Sequence, residues 1–276
     1  MKQLFILFSL AFSFSMAAQD ISIMSYNIRL DIASDGENRW DNRKEMLAGQ
    51  VLFYEPDFLG VQEALPNQVQ FLSSQLKGYK FIGVGRDDGK DKGEYSAVFY
   101  NSVKYKLLQS STFWLSETPD KPSKGWDAAY NRVCTYGMFQ NLKTKQKVLV
   151  FNTHFDHVGN VARAESARLI LQKIREINKN NLPVIVTGDF NLEPGTEPVN
   201  IIKSELSDAR EIADLVYGPD GTFNAFEFHK PVTNRIDYIF VPKSGVSVKK
   251  YSILSDSKNC RYPSDHLPVY VELVVK

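Results

Sequence analysis

The chain is poor in the residues that build soft-metal and redox sites. Only two of its 276 residues are cysteine, Cys134 and Cys260, and no Cys-x-x-Cys pair occurs. That argues against a thiolate zinc cage, whose ligands come largely from such pairs. Two thiols are the minimum for a disulfide, so the sequence allows one bridge or two separate buried thiols. Histidine is scarce as well, with four copies. No internal repeat or Pro/Gly-rich linker divides the chain, and one domain over residues 19–276 is expected. Neither sign of charge is in excess. The formal net charge is +1, and removing Lys2 with a leader brings it to zero. Such a balance gives no support for broad electrostatic capture of nucleic acid or an anionic membrane, while leaving room for a local basic patch.

The one long apolar run lies at the start. Lys2, the apolar residues 4–16 and the small-residue exit Ser15-Met16-Ala17-Ala18 read as a secretory signal peptide over residues 1–18, cleaved after Ala17 or Ala18. The run is short for a bilayer span, and no cysteine near the exit offers a lipid attachment point. A secreted or periplasmic enzyme without a transmembrane segment is expected, and an uncleaved anchor is the alternative.

What remains is ordinary globular material, 43% hydrophobic and 24% charged. Residues 21–28 alternate as a strand does, with Ile21, Ile23 and Ser25 on one face and Met24, Tyr26 and Ile28 on the other. Asn27 shares the first face. Asp41 reads as a helix N-cap before residues 43–54, where Leu47, Val51 and Tyr54 keep helical spacing and Pro56 closes the helix. Residues 58–62 form an apolar run that delivers Glu63, and Val69, Leu72 and Leu76 mark a second helix. The glycine-rich, charged stretch 83–93 reads as a mobile loop before a strand at 94–100. Residues 113–130, with prolines, Trp114 and Trp126, lack any period, and a loop that long is usually functional. It leads through Arg132 into a strand at 133–139. Residues 147–153 end on His154, with His157 three positions on, a spacing poorly suited to a metal pair at a strand exit. A helix follows at 162–177.

Residues 184–187 are a short β-branched strand. It stops at Gly188 and presents Asp189 and Asn191, which as i and i+2 positions face one way. Asp237 stands inside the apolar run 236–241. A buried carboxylate there needs a cationic or hydrogen-bonding partner, and His266, beside Asp265 just ahead of the last strand at 269–275, is the natural one. Asn27, Glu63, His154, Asp189 and Asn191 thus sit at strand exits, where sheet proteins build active sites. The candidate metal donors are all oxygens, a set suited to Mg²⁺ or Mn²⁺. With histidines beside them, the chemistry indicated is metal-assisted hydrolysis, most naturally of a phosphate ester.

The motifs Tyr-Asn27-Ile, Val-Gln-Glu63, Asn-Thr-His154, Gly-Asp189-Phe-Asn191, Arg-Ile-Asp237-Tyr-Ile and Ser-Asp265-His266, in this order, resemble those of the endonuclease/exonuclease/phosphatase superfamily. The resemblance implies a DNase I-like fold of the α/β (α+β) class, a four-layered sandwich of two mostly antiparallel sheets flanked by helices. It implies Glu63 as principal metal ligand with Asn27 beside it, one or two Mg²⁺ or Mn²⁺ ions, and Asp265 supporting the metal or His266. Asp189 would orient or deprotonate the attacking water, and Asn191 and His154 would hold the phosphoryl oxygens. Asp237 would orient His266, which binds phosphate or assists proton transfer. Abasic-site nucleases of the superfamily carry aspartate two residues after the first asparagine. Here that position is Arg29, which with export weighs against DNA repair. Arg132 reads as a phosphate clamp or a structural ion pair. Trp126, with Trp114, reads as a stacking wall or loop packing.

Fold and motifs are shared by nucleases and many phosphatases, so they leave the substrate open. The leading expectation is an exported metal-dependent hydrolase of a small, lipid- or sugar-linked phosphodiester, by in-line attack of water and with no obligate protein partner. A secreted nuclease acting on nucleic acid is the second reading, and an inactive binding module the third. The binding module predicts the loss of site residues, and none is missing.

Overall fold

A computed structural model describes residues 19–276, so the leader assigned to residues 1–18 lies outside the described residues. In chain order the elements are β1 (Gln19–Asn27), α1 (Trp40–Tyr54), β2 (Phe58–Ala64), α2 (Pro66–Gln75), β3 (Tyr79–Ile82), β4 (Tyr95–Asn101), β5 (Tyr105–Trp114), β6 (Val133–Asn141), β7 (Lys147–His154), α3 (Asn160–Ile177), β8 (Val184–Asp189), α4 (Glu197–Glu205), β9 (Leu206–Asp208), α5 (Ala209–Ile212), β10 (Leu215–Tyr217), β11 (Asp237–Pro242), β12 (Val246–Ile253) and β13 (Val269–Val275). One sheet runs β10-β12-β13-β1-β2-β4-β3 and the other β5-β6-β7-β8-β11-β9. Pairing is antiparallel except between β1 and β2, β7 and β8, and β10 and β12.

Alternation along the strands sorts the core into layers. In β1, Ile21 and Ile23 point between the sheets, where they join Phe58, Val98, Phe139, Val150, Ile185 and Ile239. Met24, Tyr26 and Ile28 point outward against Leu47 and Val51 of α1 and Val69 and Leu72 of α2. The second sheet buries Leu149, Phe151, Val186 and Phe240 against Ile170 and Ile174 of α3 and Val199 and Ile202 of α4. The result is the expected sandwich: helices, sheet, sheet, helices.

Between the sheets the apolar filling gives way to polar groups toward the end that carries the motifs. Asn152 on β7 donates to the carbonyls of Val61 and Ala97 in the opposite sheet, at 2.8 and 2.9 Å. Its oxygen accepts from Gln62 at 2.6 Å and from Thr187 at 3.0 Å. Gly60 faces this cluster because nothing larger fits. A Cβ there would lie 2.4 Å from the Thr187 hydroxyl oxygen.

Several local expectations change. Asp41 does not cap α1; the helix starts at Trp40 with Arg39 at the cap position and no side-chain cap bond, which leaves Asp41 in the first turn. The stretch 83–93 is a cross-braced turn rather than an open loop. Gly85 N–H donates to the Lys90 carbonyl, Asp87 N–H to that of Lys92 and Arg86 N–H to that of Glu94. The irregular stretch begins later than expected, because β5 runs on through Trp114. Both cysteines are free, with Cys134 buried on β6 and Cys260 at the surface, so the expectation of a bridge or of two buried thiols fails at Cys260.

Candidate active site

The strand exits converge. Asn27 ends β1, Glu63 is the next-to-last residue of β2, His154 ends β7, Asp189 ends β8 and Asp237 opens β11. Asp189 is flanked by His154 and Asp237 in register across the second sheet. Asp265 and His266 arrive from the segment before β13. Arg43, buried on α1, donates to the carbonyls of Ile28, Arg29 and Pro263 and so ties the exit of β1 to that segment. Glu63, Asn191 and Arg29 all adopt left-handed backbone, with φ of 62°, 51° and 55°. Such conformations are costly for residues with a Cβ and gather at functional sites.

The Asn27 amide nitrogen donates to Glu63 Oε1 at 3.0 Å and Asp189 Oδ2 at 2.9 Å, while its oxygen accepts the Arg29 N–H. In this orientation Asn27 bridges two carboxylates. Presenting its oxygen to a cation requires a turn of the carboxamide. Asp189 Oδ1 accepts the Asn191 N–H at 2.8 Å, and the Asn191 amide nitrogen meets His154 Nε2 at 3.0 Å. Asp237 Oδ2 lies 2.8 Å from His266 Nδ1, which leaves Nε2 of that ring 3.8 Å from Asp189 Oδ2. Asp237 and His266 are thus paired, as the apolar surroundings of Asp237 required.

Burial and charge set the protonation of these groups. Burial, with Asp237 close by, pushes Asp189 up to about 7. Burial also raises Asp265, with Glu63 adding to it and His266 and Arg29 opposing. Burial alone would lower His266, yet Asp237, Asp189 and Asp265 outweigh it and hold the ring well above the usual histidine range. His154 is held well below that range by burial and by the guanidinium groups of Arg132 and Arg86. Near neutral pH the site therefore contains one protonated and one neutral imidazole.

Two clusters could attract an ion. Oxygens of Glu63 and Asp189 and a His154 nitrogen lie within 4.8 Å of one another, as do Asp189, Asp237 and His266. In the second cluster the imidazole already occupies Asp237. In the first, Glu63 and Asp189, with Asp265 near, are carboxylates packed together out of water, and their repulsion fits a hard cation. Arg29 partly offsets that charge from the rim. It pairs with Asp35 at 2.9 Å and lies 3.8 Å from Asp265 and 4.0 Å from Glu63.

A cleft of about 620 Å³ opens over this floor and is also lined by Arg86, Glu94, Tyr130, Arg132, His157 and Phe223. Arg132 lines it, ion-paired to Asp156 at 3.3 Å, so the ion-pair reading holds and the guanidinium borders the space that a clamp would need. Trp126 does not line the cleft, and buried Trp114 donates its indole N–H to the Arg86 carbonyl at 2.7 Å. No stacking wall of tryptophans forms in this cleft. His157 stands apart from both carboxylate clusters, next to Arg132 and stacked on Tyr130. Sequence reasoning missed Arg86, Glu94, Tyr130 and Phe223. Arg86 sits in a run of mixed charge that reads as solvated surface, and only the surrounding glycines hinted at a built turn.

Residues 24–266 match the model of the Endonuclease/Exonuclease/phosphatase family. The chain belongs to that family. Its members include an endonuclease/exonuclease/phosphatase family protein of Bacteroides thetaiotaomicron, whose structure is 41% identical, superposes with a TM-score of 0.92 and covers 95% of this chain and 97% of its own. A mannosyl-6-phosphatase of the same organism is 42% identical with a TM-score of 0.88, over 92% of this chain and 99% of its own. Among curated relatives, the CCR4-Not complex 3'-5'-exoribonuclease subunit Ccr4 of Mycosarcoma maydis is 23% identical over 94% of this chain, and human Nocturnin 25% over 90%. The chain spans only 51% and 63% of those two proteins. It is a phosphoesterase of the endonuclease/exonuclease/phosphatase family, a hydrolase whose acidic site matches the divalent-metal dependence general to that family.

Proposed function

We propose that this protein is an exported phosphatase that removes the phosphate of a sugar-linked phosphomonoester with Mg²⁺ or Mn²⁺. This departs from the diester favoured on sequence alone. The observation that carries it is the 42% identity to a mannosyl-6-phosphatase over nearly all of that protein's length. A cleft of about 620 Å³ also falls within the range typical of small-molecule sites. Export rests on the leader residues 1–18.

In this reading the substrate phosphate lies between Asn191, His154 and His266. Glu63 with Asp265 would hold the divalent cation, which when bound would supply charge neutralisation at the phosphoryl oxygens. Asp189, fixed by the Asn191 N–H and the Asn27 amide, orients the attacking water and takes its proton. Protonated His266, steadied by Asp237, donates Nε2–H to an oxygen of the transferring group as charge builds there. His154, kept neutral, donates or accepts without adding a charge. Asn191 must exchange its contact with His154 for one to substrate.

The test is phosphate release from mannose 6-phosphate, with Mg²⁺ or EDTA, beside plasmid DNA and polyadenylate. Metal-dependent release with nucleic acid intact supports the reading; shortened polyadenylate and untouched sugar phosphate sink it. That second outcome would favour an exoribonuclease, the activity named in the curated Ccr4 relative.

A further inference from the structure

The floor of the cleft is anionic, and one of its walls is cationic. Arg86, from the turn between β3 and β4, and Arg132, from the end of the loop before β6, are both at least nine-tenths buried and both line the cleft. Arg86 is fixed from three sides. Its Nη1 meets Glu94 at 2.6 Å, its guanidinium lies 5.3 Å from the Tyr130 ring centre, and its carbonyl is held by Trp114. Arg132 is fixed by Asp156 and by His157 Nδ1 at 3.1 Å. This wall adjoins the reaction centre, because Glu94 also lies 3.9 Å from His154 Nδ1.

Each guanidinium keeps a buried nitrogen without an acceptor, Nε of Arg86 and Nη1 of Arg132. Asp87 lies 3.9 Å from the first, too far for a hydrogen bond. A buried, charged donor without an acceptor is expensive and calls for an explanation such as a ligand oxygen. The requirement is for an acceptor-rich, multiply charged group. A phosphomonoester dianion offers three non-bridging oxygens and two charges. A phosphodiester offers two oxygens and one charge, and presses an ester carbon where the third oxygen would be.

We propose that Arg86 and Arg132 form a dianion-reading site that makes the cleft select phosphomonoesters over phosphodiesters. This rests on the phosphatase reading above and adds the residues that enforce it. Arg86 is the informative one to change, since its turn supplies none of the carboxylates of the floor.

The experiment compares kcat/KM on p-nitrophenyl phosphate and bis-p-nitrophenyl phosphate for the wild type, Arg86→Ala and Arg86→Lys, together with binding of inorganic phosphate by calorimetry. Arg86→Ala should lower monoester kcat/KM roughly tenfold or more and weaken phosphate binding in step, as expected for a charge-assisted contact. Because Arg86 also helps to keep His154 neutral, the diester should lose activity too, but by a clearly smaller factor than the monoester. Arg86→Lys keeps the charge but loses the fork and should fall between. It carries the test if the alanine variant does not fold. Parallel losses on both esters, or unchanged phosphate binding, overturn the proposal. A wild type that cleaves only the diester overturns both the phosphatase reading and the monoester selection; a wild type that releases phosphate from p-nitrophenyl phosphate while Arg86→Ala binds inorganic phosphate unchanged keeps the phosphatase reading and overturns the dianion site alone.

Discussion

One side of the cleft is carried by strand ends and the other by loops, and the two obey different rules. His154, Asp189 and Asp237 are fixed by sheet register: His154 pairs with Asp189 across β7 and β8, and Asp237 with Asp189 across β11 and β8, while Glu63 comes from the irregularity near the end of β2 in the facing sheet. Their spacing is set by the strands themselves, at about 4.7–4.9 Å per neighbour. Arg86, Tyr130 and Arg132 have no such frame and are held by ion pairs, ring contacts and one indole hydrogen bond. Chemistry thus sits on the rigid side, and the residues we assign to substrate choice on the side free to vary.

The sharpest way to break this division is Asp189→Ala. Hydrolysis of every ester should fall by roughly 10³-fold, as expected for loss of a general base, while the monoester-to-diester ratio stays put. A shifted ratio would mean that the floor also selects. Asp237→Asn comes next, with a loss of about 10²-fold and a change in pH dependence. His266 has a raised pKa in the fold, so its share of stability is complete below about 6.5 and is lost as pH rises through the folded value. Asp189, raised to about 7, acts in the same sense: its share is present below about 4 and is lost as pH rises toward 7. Below about 6.5 buried, neutral His154 works in the opposite sense; above it metal-free wild type should melt at falling temperature as pH rises, and Asp237→Asn should flatten that fall. An unchanged slope would remove Asp237 as the cause.

The strand-borne side was legible because a polar residue at the exit of an apolar run is conspicuous, and Asp237 inside one even dictated the need for His266. The loop-borne side was not. Arg86 stands among Asp87, Asp88, Lys90, Asp91 and Lys92, and nothing in that run marks the one side chain that turns inward. Trp126 misled for the converse reason, since aromatic content alone does not give direction, and its left-handed backbone (φ 45°) belongs to a loop position away from the cleft lining. Short or half-exposed strands such as β3 and β10 carry little alternation, and β12 is broken by a register shift between Val248 and Lys250. Asn152 was invisible for another reason: one carboxamide in the run Val148 to Thr153 does not show that it reaches across to a second sheet.

Asn152 and Gly60 give the next test. Gly60→Ala drives a methyl into Thr187 and Asn152 and should cost about 1–3 kcal/mol of stability in a denaturant melt, with a drop in kcat for both esters. Stability lost without any loss of turnover would show that the polar seam does not align the floor. Trp126→Ala should be the mildest change, within about 0.5 kcal/mol in stability and about twofold in kcat/KM. A larger effect on the monoester would bring Trp126 back into substrate binding.

The indole bond from Trp114 to the Arg86 carbonyl, with the Asn131 amide reaching the same carbonyl at 3.4 Å, joins the turn at 83–93 to the loop at 115–132. A whole strand, β5, separates these segments in sequence, yet a peptide oxygen and the Arg86–Tyr130 ring contact fasten them to each other. They form one module, and a chimera that transplants either alone should lose the shape of its cleft before it gains a preference.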